Sequence, residues 1–449
     1  MDTVHEPARR IPVAAHTDVL VVGGGPGGLA AALAAAREGV DTVLLERFGS
    51  FGGNITQVGV ESIAWYRHEG TVEAGGIGRE FEDRAVEMGA GRDEPQSISK
   101  ALDTEMFKHV ADVLVKEAGI RPILHCYGVQ ALMEGSTIKG VVTESKSGRQ
   151  AIMAKRVIDA TGDADIAHLA GVPYRQSPND DLLGVTTTFG CSGVDIHRFR
   201  DYVKANPQRL GDWDELEEKS GKEADLFSPY IEDPFNRAKS AGEIPKNAWI
   251  KGTWSSLTEA GEATYLNVVV INGIDPTKVS DLTHAEIKGR EQVLFALSAL
   301  KKYTPGFENA RLRTFGTTVG VRESRKIIGT YNITEHDVRN QARFEDAIGI
   351  FPEFLDAYGI VIIPTTGRYF QVPYGIILPQ NVDNLLVAGR CVAGDRISHA
   401  ATRQMMCCAV TGQGAGVAAA VSLKENVPCR EVNIKQVQNA LRKQGVRIT

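Results

Sequence analysis

One stretch constrains this chain more than any other. Residues 18–22 are a short β-branched run, and Gly23-Gly-Gly-Pro26-Gly27-Gly28 follows without a break. Residues 29–38 are rich in alanine and stop at Gly39, and residues 40–45 form a second apolar run closed by Glu46. The pattern predicts strand, tight turn, helix and strand, one β-α-β unit in about thirty residues. Such a unit places the chain in the α/β class, built on a parallel sheet. Each glycine of Gly23-x-Gly25-x-x-Gly28 meets a steric demand. Gly23 allows the tight turn, Gly25 lets a pyrophosphate approach the backbone, and Gly28 lets the helix pack on the strand. Pro26 and Gly27 open that helix, whose free N–H groups and positive dipole end suit phosphates. Glu46, eighteen residues beyond Gly28, can accept hydrogen bonds from a ribose hydroxyl. Together these features predict a bound adenine dinucleotide; a bare strand-to-helix turn would leave Glu46 without a reason.

Composition narrows the remainder. Of the 449 residues, 43% are hydrophobic and 24% charged, a globular balance with material for a large core. A net charge of -6 argues against a general nucleic-acid binder or a polybasic membrane binder. The six cysteines, Cys126, Cys191, Cys391, Cys407, Cys408 and Cys429, form no C-x-x-C pair and no cluster at metal-ligand spacing, so no metal is expected. Free thiols suit a reducing compartment, and a cytoplasmic location is expected. Arg9-Arg10 is not followed by an apolar run before Asp18, so residues 1–16 read as a flexible polar tail. Stretches 19–36 and 404–423 are long and uncharged but built from Gly and Ala; they read as buried segments, with no membrane span.

Further along, residues 49–100 look irregular. Asp103 is placed to cap a helix reaching about 118, and strands are expected over 123–125, 128–133, 138–143, 152–155 and 156–160. The character changes after Pro173. A helix over 285–302 and strands over 265–271 and 361–363 belong to a lobe without a glycine turn, and residues 384–389 return to the idiom of the first strand. The expected division is therefore a tail, 1–16, a discontinuous nucleotide-binding domain, 17–175 with 380–449, and an inserted α+β substrate or cap lobe, 176–379.

The glycine turn alone does not choose between NAD and FAD. Three more loops favour the longer cofactor. Phe51-Gly52-Gly53-Asn54-Ile55-Thr56 follows the acid directly, Ala160-Thr161-Gly162-Asp163 ends a buried strand, and Gly389 leads to Asp395, whose carboxylate can reach ribityl hydroxyls. One nicotinamide cofactor would not need three such separated loops.

These segments resemble the glutathione-reductase-like flavoproteins, the two-dinucleotide-binding-domain superfamily, and within it the bacterial FAD-dependent oxidoreductase family. The resemblance rests on VVGGGPGGLAAALAAAREG, ERFGSFGGNIT, VIDATGDADIAHLAGVPY, GVRESRKIIGTYNITEHDV and NLLVAGRCVAGDRISHAATRQMMCCAVTGQGAGVAAA, while residues 176–310 match poorly. It implies a Rossmann-like FAD-binding domain. Gly23, Gly25, Gly28 and Glu46 would hold the ADP half, and Arg47, Gly53, Asn54 and Thr56 would line the pyrophosphate and the approach to the flavin. Val129 would touch adenine through its backbone. Thr161, Gly162 and Asp163 would close the nucleotide side and Asp395 the ribityl side. Gln404, Met405 and Met406 would open a helix facing the pyrimidine edge of the flavin, where its dipole stabilises negative charge on the reduced ring.

No second GxGxxG follows a strand, and the C-x-x-x-x-C of disulfide reductases is absent. Electrons are therefore expected from a small-molecule substrate or a diffusing partner, NAD(P)H, quinone or oxygen; a homodimer is compatible with this. His399 and Arg403, four residues apart, share one side of a helical turn. His399 is the candidate for proton transfer and Arg403 for clamping a carboxylate or an oxyanion. Tyr66, Arg67 and His68 are candidate substrate contacts. Arg322, Glu323 and Arg325 read as an ion-pair anchor between lobes, and Cys407-Cys408 as buried packing. The expected reaction is hydride transfer between flavin N5 and a small organic molecule, by a dehydrogenase, oxidase or double-bond reductase. The alternatives are a flavin monooxygenase and a non-catalytic FAD-fold binding protein.

Overall fold

The computed structural model describes residues 2–63, 66, 72–94, 99–205, 218–219, 232–251, 256–364 and 367–449. Its first half runs β1 (Val13–Val22), α1 (Pro26–Arg37), β2 (Thr42–Leu45), α2 (Ile77–Glu87), α3 (Thr104–Glu117), β3 (Arg121–Ile123), β4 (Tyr127–Glu134), β5 (Thr137–Ser145) and β6 (Gly148–Asp159). There follow β7 (Val185–Ser192), β8 (Leu257–Thr258), β9 (Glu262–Ile271), α4 (Val279–Tyr303), β10 (Arg311–Phe315), β11 (Leu355–Ala357), β12 (Ile360–Ile362), β13 (Leu385–Val387), α5 (Arg396–Thr402) and α6 (Met405–Lys424).

The main sheet has the order β3-β2-β1-β6-β5-β4, with β13 also on β6. Its design centres on β6. The early part of β6 pairs antiparallel with β5, Gly140 opposite Met153, while its last residues lie between two parallel neighbours. Val157 stands beside Leu20 of β1 on one side and Leu385 of β13 on the other. Three parallel strands far apart in sequence therefore end together: β1 at Val22, β6 at Asp159 and β13 at Val387. The crevice beyond the carboxyl ends of parallel strands is where α/β sheets bind ligands. This is a mixed α/β fold with a Rossmann-like core.

Glycine and alanine bring the two main helices into backbone contact. A Cβ on Gly412 of α6 would lie 1.9 Å from the Gly27 carbonyl oxygen, and one on Gly416 would lie 2.1 Å from that of Ala31. Helix α6 is long and apolar enough to cross a membrane by length and composition alone, and 94% of its most apolar window is buried inside the protein. The stretch is uncharged because it crosses the core, where an unpaired charge would be costly.

A second sheet, β8-β9-β7-β10, is antiparallel and carries α4 on one face. Helix α4 approaches it closely at Gly289, where a Cβ would meet Thr187 Oγ1 at 1.9 Å. Two buried hydrophobic clusters result. One collects side chains between Val185 and Val319; the other is the main core and includes Ile327 to Leu378. Described residues between Ile327 and Leu378, a stretch expected in the inserted lobe, thus pack in the same cluster as β1, β6 and α6.

Other differences have local causes. Strand β1 begins at Val13, inside the expected tail, because Ala15 and His16 pair with Ile152 and Met153 of the long β6. The two strands expected over 152–160 are one strand, since nothing in Lys155-Arg156 turns the chain; Arg156 instead bonds Ser422 Oγ at 2.8 Å. Helix α2 lies in a region read as irregular, although Ile77, Phe81 and Ala85 fall at helical spacing and are all buried. Asp103 caps α3 as expected, accepting from the Met106 N–H at 2.9 Å.

Candidate functional site

The three strand ends open onto a cavity of about 730 Å³. One half is lined by Gly23, Gly25, Pro26 and Gly27 at the turn into α1, by Glu46 and Arg47 after β2, and by Gly53 and Asn54. Ala160, Thr161, Gly162 and Asp163 after β6, Gly389 after β13, and Gln404 and Met405 at the start of α6 complete it.

The glycines divide their work sterically. Gly23 has φ 105°, and a Cβ there would sit 2.3 Å from the Ala160 carbonyl oxygen. On Gly28 it would sit 1.7 Å from the Gly23 carbonyl oxygen. Gly25 differs: its Cβ would meet only Gly53 Cα, at 3.8 Å. The missing side chain of Gly25 is therefore open space on the cavity wall. Glu46 is buried, and its carboxylate accepts from the Gly24 N–H at 2.6 Å and the Phe48 N–H at 2.9 Å. These bonds fix the carboxylate and leave each oxygen one further lone pair for a hydroxyl donor.

Asp163 lies at the junction. Its Oδ1 accepts from Arg390 Nη2 at 2.8 Å and from Ser324 Oγ at 2.7 Å. Burial pushes its pKa up, but Arg390, Ser324 and Arg47 outweigh burial and hold the carboxyl below its ordinary range. Neighbouring Asp165 is pushed up, by burial and by Asp163, despite pairing with Arg325 at 2.9 Å. At the end of β6, burial raises Asp159 to about 6, although it accepts from the N–H groups of Thr161 and Ala167.

The first turn of α6 receives no side-chain cap from Gln404, whose amide turns back to the Ala400 carbonyl at 2.9 Å. Its N-terminal dipole end therefore stands at the cavity wall beside Met405. Cys408 also lines the wall, but burial pushes its thiol up to about 12, so it stays protonated.

Several expected residues lie off the wall. Asp395 is the N-cap of α5; its carboxylate accepts from the Ser398 N–H at 2.7 Å and the Glu335 N–H at 2.8 Å. Thr56 donates to the Phe51 carbonyl at 2.7 Å, and Met406 is buried against Gly78. Cys126, Tyr127 and Gly128 line the cavity where Val129 was expected. Gly28 packs beneath the turn. Tyr66 is fully buried, and burial together with Glu82 pushes its hydroxyl pKa far up. Arg67 and His68 lie outside the described residues.

His399 and Arg403 part company. His399 is 1% exposed and absent from the wall. Burial, with Lys326 and Arg403 adding repulsion against the pull of Glu323, holds its pKa well below the ordinary range. The neutral ring places Nε2 3.1 Å from the Arg322 carbonyl oxygen, and its Nδ1 has no hydrogen-bond partner. Arg403 does line the cavity; its Nη2 is held by the Asp356 carbonyl and lies 3.1 Å from Asp356 Oδ2. In the RESR stretch, Glu323 pairs with Lys326 at 2.6 Å rather than with an arginine, while Arg325 pairs with Asp165 at 2.9 Å, next to residues of one and the same cluster.

The other half of the cavity was not foreseen. It is lined by Thr186, Lys251, Tyr265 and Asn267 near the second sheet, by residues 318–322, and by the β11–β12 hairpin with Phe354. Tyr265 and Asn267 are two apart on β9 and so share a face, which is the signal a period-2 reading could have caught. The segment between Val60 and Ile63 lines the cavity and touches the second sheet. Glu61 accepts from Arg92 Nη2 at 2.7 Å and from Thr264 Oγ1 at 2.8 Å. Burial outweighs Arg92 and lifts Glu61 to about 7. Its unfolded value is 4.5, so its penalty is absent below pH 4.5 and complete above about 7. Glu61→Gln is therefore expected to stabilise the protein at pH 8 by on the order of 3 kcal/mol and to leave it unchanged near pH 4. Urea unfolding at both pH values measures this.

A cavity lined by a carboxylate suited to ribose, an open glycine and two helix N-termini fits an adenine dinucleotide. The family described as FAD dependent oxidoreductase matches residues 18–441. The chain belongs to this family. FAD is the cofactor of this FAD-dependent oxidoreductase, and the buried Glu46 and the open Gly25 suit it. The enzyme is 31% identical over 176 residues to the 6-methylpretetramide 4-monooxygenase of Streptomyces rimosus, covering 36% of this chain and 42% of the relative. It is 30% identical over 170 residues to digeranylgeranylglycerophospholipid reductase 1 of Methanopyrus kandleri, covering 36% and 44%. The matched regions thus span less than half the length of either relative. Among solved structures, the flavin-dependent brominase Bmp2 shares the fold, with TM-score 0.50 at 13% identity over 95% of this chain and 83% of that one.

Proposed function

We propose that this FAD-dependent oxidoreductase transfers hydride between flavin N5 and a small organic substrate, as a dehydrogenase, oxidase or double-bond reductase. One observation carries the reading: a single cavity runs from the glycine turn past the start of α6 to the second sheet, so cofactor and substrate compartments are continuous. FAD, when bound, supplies a two-electron centre that accepts or returns hydride. The chain supplies the rest. Glu46 would accept from ribose hydroxyls and the N–H groups opening α1 would face the phosphates, while the Asp163–Arg390 pair ties the loop after β6 to the segment after β13. The N-terminus of α6 stabilises negative charge by about 0.3–1 kcal/mol. Arg403 anchors the substrate. His399, neutral and off the wall, acts as a positioning residue that holds the Arg322 backbone.

Monooxygenation is a second reading, favoured by the similarity to a 6-methylpretetramide 4-monooxygenase. An anaerobic titration separates them. Bleaching of the flavin by an oxidisable metabolite, or reoxidation of the reduced flavin by an unsaturated one, is the expected result. Fast bleaching by NAD(P)H alone, with a hydroxylated product once oxygen is readmitted, would overturn it.

A further inference from the structure

We infer that the compartment beside the second sheet takes a small organic anion: a carboxylate that also carries a hydroxyl or amino group. This rests on the hydride-transfer reading above and names its substrate class. Among the described residues lining this half, Lys251, Arg322 and Arg403 are cationic and only Asp356 is anionic. The wall therefore carries an excess of positive charge inside a chain whose net charge is -6. A carboxylate complements it, and the focused field draws anions inward.

Two unpartnered polar atoms sharpen the assignment. Arg403 is already clamped by Asp356 through Nη2, yet its Nε is buried with no hydrogen-bond partner. A fixed guanidinium with an open N–H needs an acceptor and loses little freedom in gaining one. Asn267 presents the opposite need: its Oδ1 is buried, also without a partner. An acceptor left dry in a cavity wall is satisfied by an O–H or N–H donor on the ligand. Phe354 and Val319 supply apolar wall between these polar demands. A ligand with a carboxylate for Arg403 and a donor for Asn267 meets both; a neutral hydrocarbon meets neither.

The test uses the FAD-loaded chain and three probes, phenylacetate, mandelate and phenylalanine, each paired with its primary amide. Binding is read from the shift in melting temperature and from perturbation of the flavin absorption bands. Each acid is expected to bind at least about tenfold more tightly than its amide. Mandelate and phenylalanine should also exceed phenylacetate. Arg403→Gln should erase the acid–amide difference, and Arg403→Lys should restore part of it. Asn267→Leu should erase the advantage of mandelate over phenylacetate. Flavin content, measured in every variant, separates loss of the site from loss of the fold. Acid and amide binding alike, no probe binding at all, or an unchanged preference in Arg403→Gln would overturn the inference. A chain that takes up no FAD would fail the functional reading instead.

Discussion

Gly25→Val is expected to strip FAD from the chain while leaving the fold in place. The N-cap Gly25 has φ -70°, a conformation any residue can adopt. Its added Cβ would meet only Gly53 Cα, at 3.8 Å. The protein itself therefore has room for the first carbon of the side chain, whose methyl groups would extend into the space the phosphates need. Neighbouring glycines behave oppositely. Gly23→Ala and Gly28→Ala would press a methyl group to 2.3 Å and 1.7 Å from backbone oxygens. Those variants should lose the fold, because the turn and the α1–β1 packing cannot open without shifting backbone. The ratio of flavin to protein and the far-ultraviolet melting curve distinguish the two outcomes. For Gly25→Val the ratio should fall about tenfold or more, with melting close to that of the apoprotein. Full retention of FAD would remove the phosphates from this turn.

Arg390→Ala is expected to leave the chain folded but to cost it several kcal/mol of stability, about 3–5 at most. Asp163 and Arg390 are 10% and 16% exposed at the side chain and 2.8 Å apart. Removing one partner of a buried pair leaves the other charge unsolvated, at about 3–5 kcal/mol. Arg47 and Ser324, which also hold Asp163 down, soften this. The pH dependence follows from the sign. In the parent, Asp163 titrates below its unfolded value of 3.8, so its contribution is present above that pH and lost as pH falls through the folded value. Without Arg390, burial dominates and the folded value rises above the unfolded one. The penalty is then complete at neutral pH and shrinks on acidification. The melting difference between variant and parent should therefore be larger at pH 8 than at pH 5. Adding Asp163→Asn should recover much of the loss, as a coupled pair requires. Equal differences at both pH values would show that the pair is not the source.

What could be read from the sequence was local. The glycine turn, Glu46 and the Ala160–Asp163 loop each declare themselves within a few residues, and the cavity gathers them. The return of the chain at Leu385 was legible because an apolar run meeting a glycine repeats the opening motif. Long-range contacts left no such mark. Arg390 reaches Asp163 across 227 residues of sequence, and Glu61 meets Thr264 across 203. Asn267 and Lys251 reach the cavity only because the second sheet folds over it. Some residues carried two meanings. Asp395 reads equally as a ligand carboxylate and as the cap of a helix, and capping Ser398 took precedence. His399 and Arg403 lie four apart, but Arg403 is the C-cap of α5 and turns to the cavity while His399 points into the core. A spacing rule gives a shared face, not which face is wet.

The visible spectrum of the purified chain, recorded after incubation with excess FAD and gel filtration, probes the cavity most directly. One FAD bound along it predicts a yellow protein absorbing near ~450 nm that releases about one FAD per chain on denaturation. A folded but colourless protein that takes up no FAD would contradict the assignment of this cavity to the cofactor.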